Sequence, residues 1–228
     1  MRPALPLPVR HSLVWLSAAG WAEAVNSARP EHRDILLSWI ERDLPLTVRR
    51  PSEFDPPDCL YLGLALPPSR GKLRLPITVS NTAAKVIRKP LLLSDVISSA
   101  AVDWQEPLQD LVNRLEVRDI CPQVYGAFAL QRLTSDNYIH AQSDVDLLIT
   151  FVTAQKFEDF TQVVNGWEIS HGKLVDGELL FPNHDAIAWR EVKSNSRQVL
   201  IKSGVDARLV SREELKLRMC IEAGLPRC

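Results

Sequence analysis

Two aspartates one residue apart open a strongly apolar run, Ser143-Asp144-Val145-Asp146-Leu147-Leu148. In an extended strand, residues i and i+2 point to one face. Asp144 and Asp146 therefore project together, while Val145 and Leu147 turn into a core. Carboxylates this close repel one another unless a cation sits between them. Hard divalent ions such as Mg2+ take oxygen ligands in that arrangement. Such ions orient phosphates and stabilise in-line displacement in phosphoryl and nucleotidyl transfer. The structural alternative is a solvated strand entry, with Asp144 capping a turn. Upstream, Val124-Tyr125-Gly126 ends a short strand, and a helix follows over residues 127–133. A small residue at that turn lets backbone N–H groups approach a phosphate, and a helix N-terminus favours an anion. Asp176 and Glu191 are the candidates for a third carboxylate. Asp176-Gly177 also has the residues of a tight hairpin turn. Glu191 falls in an apolar segment, where a salt bridge is the alternative.

The elements that must position these acids divide the chain in two. Residues 11–16 and 20–42 read as mainly helical, with Trp21, Ala24, Val25, Ile35, Leu36, Trp39 and Ile40 at helical spacing. A β-rich stretch follows: 46–48, then 60–66, a turn at Ser69-Arg70-Gly71-Lys72, and 73–79. Residues 84–118 read as a helical connector with Leu108, Leu111, Val112 and Leu115 on one face. The second part alternates strand and helix. Strands are expected at 120–125, 144–152, 173–181, 186–192 and 198–202, and an amphipathic helix at 153–164. The fold class expected is α+β. A smaller basic helix-plus-strand domain over 1–85, suited to a polyanionic ligand or an acidic partner, precedes a mixed-sheet domain over 86–228 that carries the acids.

Composition narrows the function classes. The chain has 228 residues, 46% of them hydrophobic, which is enough to bury a core. A net charge of −1 argues against a protein that coats nucleic acid. No stretch approaches a membrane span, and Pro3, Pro6 and Pro8 interrupt the apolar N-terminus, against a signal peptide. Cys59, Cys121, Cys220 and Cys228 are far apart and read as reduced thiols of a cytoplasmic protein. Charge is uneven. Residues 1–90 carry 13 basic and 8 acidic residues, the remainder 14 and 20. No acid occurs between Asp58 and Asp95, a stretch holding Arg70, Lys72, Arg74, Lys85, Arg88 and Lys89. These cations suit a polyanionic ligand or acidic partner, or else edge strands kept soluble by charge.

The segment Tyr125-Gly126-Ala127 followed by Ser-Asp-Val-Asp resembles the nucleotidyltransferase pattern of a Gly-Ser turn and an Asp-x-Asp strand. Ala127 stands where Ser is usual, so one hydroxyl contact is lost and the backbone contact kept. The likeness is closer to phosphoribosyl-dephospho-CoA transferases, the holo-acyl-carrier-protein synthases of malonate decarboxylase systems. Their YGSxxWQxLTGLxY and SDxDLL are matched by Gln131, Leu133, Thr134 and Tyr138. Leu130 replaces Trp, and Ser135-Asp136 replaces Gly-Leu. The similarity continues in Asp176-Gly177-Glu178, in Ala188 to Glu191 and in Val199 to Lys202. It reaches back to His11, to Val48-Arg49-Arg50, and to Gly63 through Pro68 with Gly71 to Arg74.

The resemblance implies transfer of a phosphoribosyl-dephospho-CoA group from triphosphoribosyl-dephospho-CoA to a serine of the acyl carrier protein subunit. Pyrophosphate leaves. Asp144 and Asp146 would be catalytic and bind Mg2+, with Asp176 or its rival Glu191. Gly126, Ala127, Gln131, Ser143, Arg49, Arg50, Lys72, Arg74 and Lys202 would contact substrate. Trp189 is a candidate for stacking on the adenine. His140 and His171 read as surface or structural groups. A different nucleotidyltransferase, acting on a small molecule or another protein, and a non-catalytic module of the same fold are the alternatives. The acid-free basic stretch favours the carrier-protein transferase, since carriers of this kind are acidic.

Overall fold

The computed structural model describes residues 8–150, 153–194, 196–204 and 206–222. Pro3, Pro6, the strand residues Phe151 and Val152, and Cys228 lie outside the described residues, as does the side chain of Cys220. The chain forms two compact units, Met1–Pro90 and Leu91–Cys228.

The first unit runs β1 (Leu13–Leu16), α1 (Ala18–Ser27), α2 (Pro30–Glu41), β2 (Leu46–Val48), β3 (Cys59–Ala65), β4 (Arg74–Ser80) and β5 (Ala84–Arg88). Its strands form an antiparallel sheet in the order β4-β3-β2-β1-β5. Trp21, Ala24, Leu36 and Trp39 of the helices share one apolar cluster with Leu60, Leu62, Leu64, Leu75 and Ile77. The helix expected over 11–16 is a strand. Helix begins only after Ser17, whose Oγ accepts from the Gly20 N–H at 3.1 Å. The helical connector expected from 84 is also corrected. Residues 84–88 pair with β1 from Leu16↔Ala84 to Leu13↔Arg88, so pairing with a distant strand overrides the local reading. This strand closes the first sheet, and the first compact unit runs to Pro90.

The second unit runs β6 (Leu91–Leu92), α3 (Leu93–Val96), α4 (Val102–Glu116), β7 (Gln123–Val124), α5 (Gly126–Thr134), β8 (Asp144–Thr150), α6 (Ala154–His171), β9 (Leu174–Leu180), β10 (Ala186–Ala188), α7 (Trp189–Lys193), β11 (Gln198–Lys202), β12 (Ala207–Ser211) and α8 (Arg212–Glu222). The sheet order is β12-β11-β10-β9-β8-β7-β6. Only β8 and β9 are parallel, joined by the α6 crossover; the other pairs are antiparallel. The architecture is α+β.

One face of this sheet is its core side. Val145, Leu147, Val175, Leu179, Ile187, Val199 and Ile201 pack with Trp104, Leu108, Leu111 and Leu115 of α4 and Phe160, Val164 and Trp167 of α6. The strand expected over 186–192 stops at Ala188. The chain coils there because Trp189 and Val192, three apart, are both buried by a helical turn. Among the described residues no helix is long and apolar enough to cross a membrane.

Candidate active site

Period two puts Asp144 and Asp146 on the face of β8 opposite the core residues Val145 and Leu147. The parallel register then adds a third acid. Asp146 lies beside Asp176, and Asp144 beside Leu174, so Asp176 shares that face one strand away. Asp144 and Asp176 are exposed and Asp146 half-buried. Among the described residues the carboxylates of Asp144 and Asp176 have no hydrogen-bond or ion-pair partner. Nor are any three Asp, Glu, His or Cys side chains drawn together tightly enough to hold an ion. The donor set is nonetheless hard oxygen on one face, and neither Asp144 nor Asp176 is paired with a base among the described residues. That is the chemistry Mg2+ selects.

The hairpin reading of Asp176-Gly177 is overturned, because both residues lie inside β9. Glycine is needed there for another reason. At φ 143° a side chain on Gly177 would collide with the Leu147 carbonyl oxygen of the parallel neighbour. Glu191 falls in α7, where its Oε2 accepts from the Leu200 N–H at 2.7 Å. Of the two candidates, Asp176 is the acid that faces with the pair.

Helix α5 brings its start to the same acids. Gly126 has φ 65°, and a Cβ on it would overlap the Asp146 carboxylate. The acid is therefore seated against the first residue of the helix. The N-cap residue, Tyr125, gives no side-chain cap, so the backbone donors of this turn, including that of Ala127, are not spent on it. The Tyr125 N–H donates to the Asp146 carbonyl at 3.0 Å and fixes the turn to β8.

Several residues expected to touch substrate do structural work instead. Gln131 donates to the Ser99 carbonyl at 2.6 Å, and its Oε1 accepts from the N–H groups of Tyr138 and Ile139. It ties α5 to the segment that leads into β8. Ser143 is buried; its Oγ accepts from the His140 N–H at 2.9 Å and closes the turn just before Asp144. Trp189 is fully buried, edge-on to Phe160, and cannot stack on a ligand. His140 accepts from the Gln142 N–H, and His171 pairs with Asp110 at 2.7 Å; both are structural.

In the first unit, Arg49 has all five N–H donors taken. They go to the Leu62 and Arg50 carbonyls, both Asp55 oxygens and Thr78 Oγ1. None is left for a phosphate. That guanidinium holds the Asp55 carboxyl far below the usual carboxylate range despite burial, with help from Ser52 and Thr78. Arg50 is half-buried, while Lys72 and Arg74 are exposed and have no ion-pair partner among the described residues. Lys202 pairs with Glu178 at 3.3 Å, a buried acid that sequence reasoning missed. Its signal was present in Asp-Gly-Glu, where Asp176 and Glu178 are two apart and so share a face.

A family model of the phosphoribosyl-dephospho-CoA transferase MdcG C-terminal domain matches residues 92–213, and one of the MdcG N-terminal domain matches residues 9–90. The chain belongs to the phosphoribosyl-dephospho-CoA transferase family. A protein of that name from Xanthomonas axonopodis pv. citri is 39% identical over 90% of this chain and 95% of its own length. One from Xanthomonas campestris pv. campestris is 36% identical over 92% and 98%. One from Bradyrhizobium diazoefficiens is 33% identical over 86% and 87%. The relatives' names support a transferase role. No solved structure matches the chain significantly.

Proposed function

We propose that this protein is a Mg2+-dependent cytoplasmic nucleotidyltransferase. It moves the phosphoribosyl-dephospho-CoA group from triphosphoribosyl-dephospho-CoA to a serine of the malonate decarboxylase acyl carrier protein. The observation that carries the reading is the register Asp146↔Asp176, which lines three acids on one face beside the start of α5. The names of the relatives support the same transferred group.

The serine hydroxyl oxygen attacks the donor phosphorus that bears the ribose. A phosphodiester bond to the serine forms, the bond to the next bridging oxygen breaks, and pyrophosphate departs. The serine proton goes to a carboxylate on this face or to solvent. Asp144, Asp146 and Asp176 share this face without converging on an ion-sized site; they would have to draw together to hold Mg2+, which supplies charge neutralisation and alignment of the phosphates when bound. The uncapped N–H groups at Gly126 and Ala127 bind phosphate oxygen. Lys72, Arg74 and Arg50 serve the acidic carrier or the donor from the first unit. Pyrophosphate release in mixtures of enzyme, donor, Mg2+ and apo carrier tests the reading. Release that requires all four supports it; release equally fast without carrier contradicts transfer to a protein serine.

A further inference from the structure

The face that carries the three aspartates holds a fourth acid and one base. Glu178 follows Asp176 by two residues in β9, and its partners across the sheet are Leu148 and Ala188. Ala186, two residues before Ala188, lies opposite Lys202 of β11. The side chains of Asp144, Asp146, Asp176, Glu178 and Lys202 therefore project from the same side. Glu178 is 5% exposed, yet it stands outside the apolar cluster that fills the other side. A buried carboxylate is expensive unless paired, and an apolar pair of the same volume is often as stable or more so. Packing alone does not account for an acid there.

Its partner is informative. Lys202 Nζ lies 3.3 Å from Glu178 Oε1 and is partly exposed. Among the described strand residues on this face, Lys202 is the one base; Arg208 of β12 pairs with Ile201 and so points to the other side. Leu180, Leu200 and Leu209 surround it on the face, and Leu209 is 61% exposed. An ammonium has three donors, and one serves Glu178. An acidic face that must receive a polyphosphate needs a fixed positive charge away from its own carboxylates.

We propose that Glu178 is a positioning residue that holds the Lys202 ammonium ready to bind the outer phosphates of the donor, those that leave as pyrophosphate. This rests on the donor being a triphosphate ester, as in the function proposed above. Glu178 acts through Lys202: it fixes the long side chain in one orientation and so spares that ordering when substrate binds.

The test is titration of the full chain with inorganic triphosphate in Mg2+ buffer, read by calorimetry. Lys202→Met raises the Kd tenfold or more, Lys202→Arg restores most of it, and Glu178→Gln shifts it in the same direction as Lys202→Met. The double variant binds no more weakly than Lys202→Met alone, since both changes remove one interaction. Melting curves establish that each variant is folded. An unchanged Kd in folded Lys202→Met, or wild-type protein that does not bind triphosphate, overturns the assignment. An additive double variant overturns the role of Glu178. Because no carrier or nucleotide is present, triphosphate binding that weakens as described upholds this pair even if transfer to the carrier fails.

Discussion

Asp144 and Asp146 face one way, and among the described residues nothing basic is bound to Asp144, so neutralising Asp144 removes ligand charge without breaking an ion pair there. Asp144→Asn is expected to abolish transfer and to leave the melting temperature within a few degrees of wild type. Asp146→Asn is expected to do the same, since amide and acid have nearly equal volume against Gly126. Near-native turnover in both, with ordinary Mg2+ dependence, would show that the chemistry lies elsewhere. Ala127 supplies only a backbone donor. Ala127→Ser adds a hydroxyl beside it, and steady-state kinetics should show unchanged or modestly raised activity, by about 1.5–3 kcal/mol of transition-state binding at most. At this scale the sequence was most legible where a local period decides orientation, as in the Asp-x-Asp strand. It was least legible where a side chain serves distant backbone. Arg49 and Gln131 have the composition of ligand-binding groups, but their donors and acceptors are consumed by Leu62, Ser99, Tyr138 and Ile139.

Elements came through where their signal is local and failed where pairing decides. The apolar stripe of α4 and the run from Asp144 announce themselves. The β1–β5 pair does not, because each partner is short and they are joined across most of the first unit. The parallel β8–β9 pair, separated by the 18-residue α6, was invisible as well, and Asp176-Gly177 consequently read as a turn. Helix α5 gives an element-level prediction. Ser135, which caps its C-terminus, adopts φ 61°, where the family pattern has Gly. A left-handed conformation costs a side chain with a Cβ about 1 kcal/mol. Ser135→Gly should therefore raise stability by ~0.5–1 kcal/mol in denaturant unfolding. Destabilisation instead would mean that the serine side chain contributes more than its backbone strain.

Across the whole molecule, charge is distributed by topology. The six cations of the acid-free stretch divide between the β4 end and the β5 end of the first sheet, its two opposite edges. They are exposed and none has an ion-pair partner among the described residues. Exposed charges at strand edges deter edge-to-edge pairing, and the same charges steer an acidic partner. Reversing Lys72 and Arg74 to Glu should raise KM for the carrier and flatten its salt dependence, because screening acts over roughly 8–10 Å. Unchanged kinetics from low to high salt would leave edge protection as their whole role.

The Arg49–Asp55 pair behaves differently, since Asp55 is only 9% exposed. Its folded pKa is depressed below 3.8, so its contribution is fully present above that value and is lost as pH falls below it. Asp55→Asn should cost roughly 3 kcal/mol at neutral pH. Melting should show a constant gap between wild type and variant from pH 7 to pH 4, and the two converging as pH falls from 4 towards 2. A gap independent of pH would mean that shape, not charge, holds the two together.

The most direct test of the account weighs the carrier. Apo acyl carrier protein subunit of malonate decarboxylase is incubated with this enzyme, triphosphoribosyl-dephospho-CoA and Mg2+, and its intact mass is measured, with fragmentation to locate the change. A gain of one phosphoribosyl-dephospho-CoA group on a single serine is expected, absent with Asp144→Asn or Asp146→Asn and absent without Mg2+. A carrier of unchanged mass after incubation with folded wild-type enzyme, or modification that persists in both aspartate variants, would contradict it.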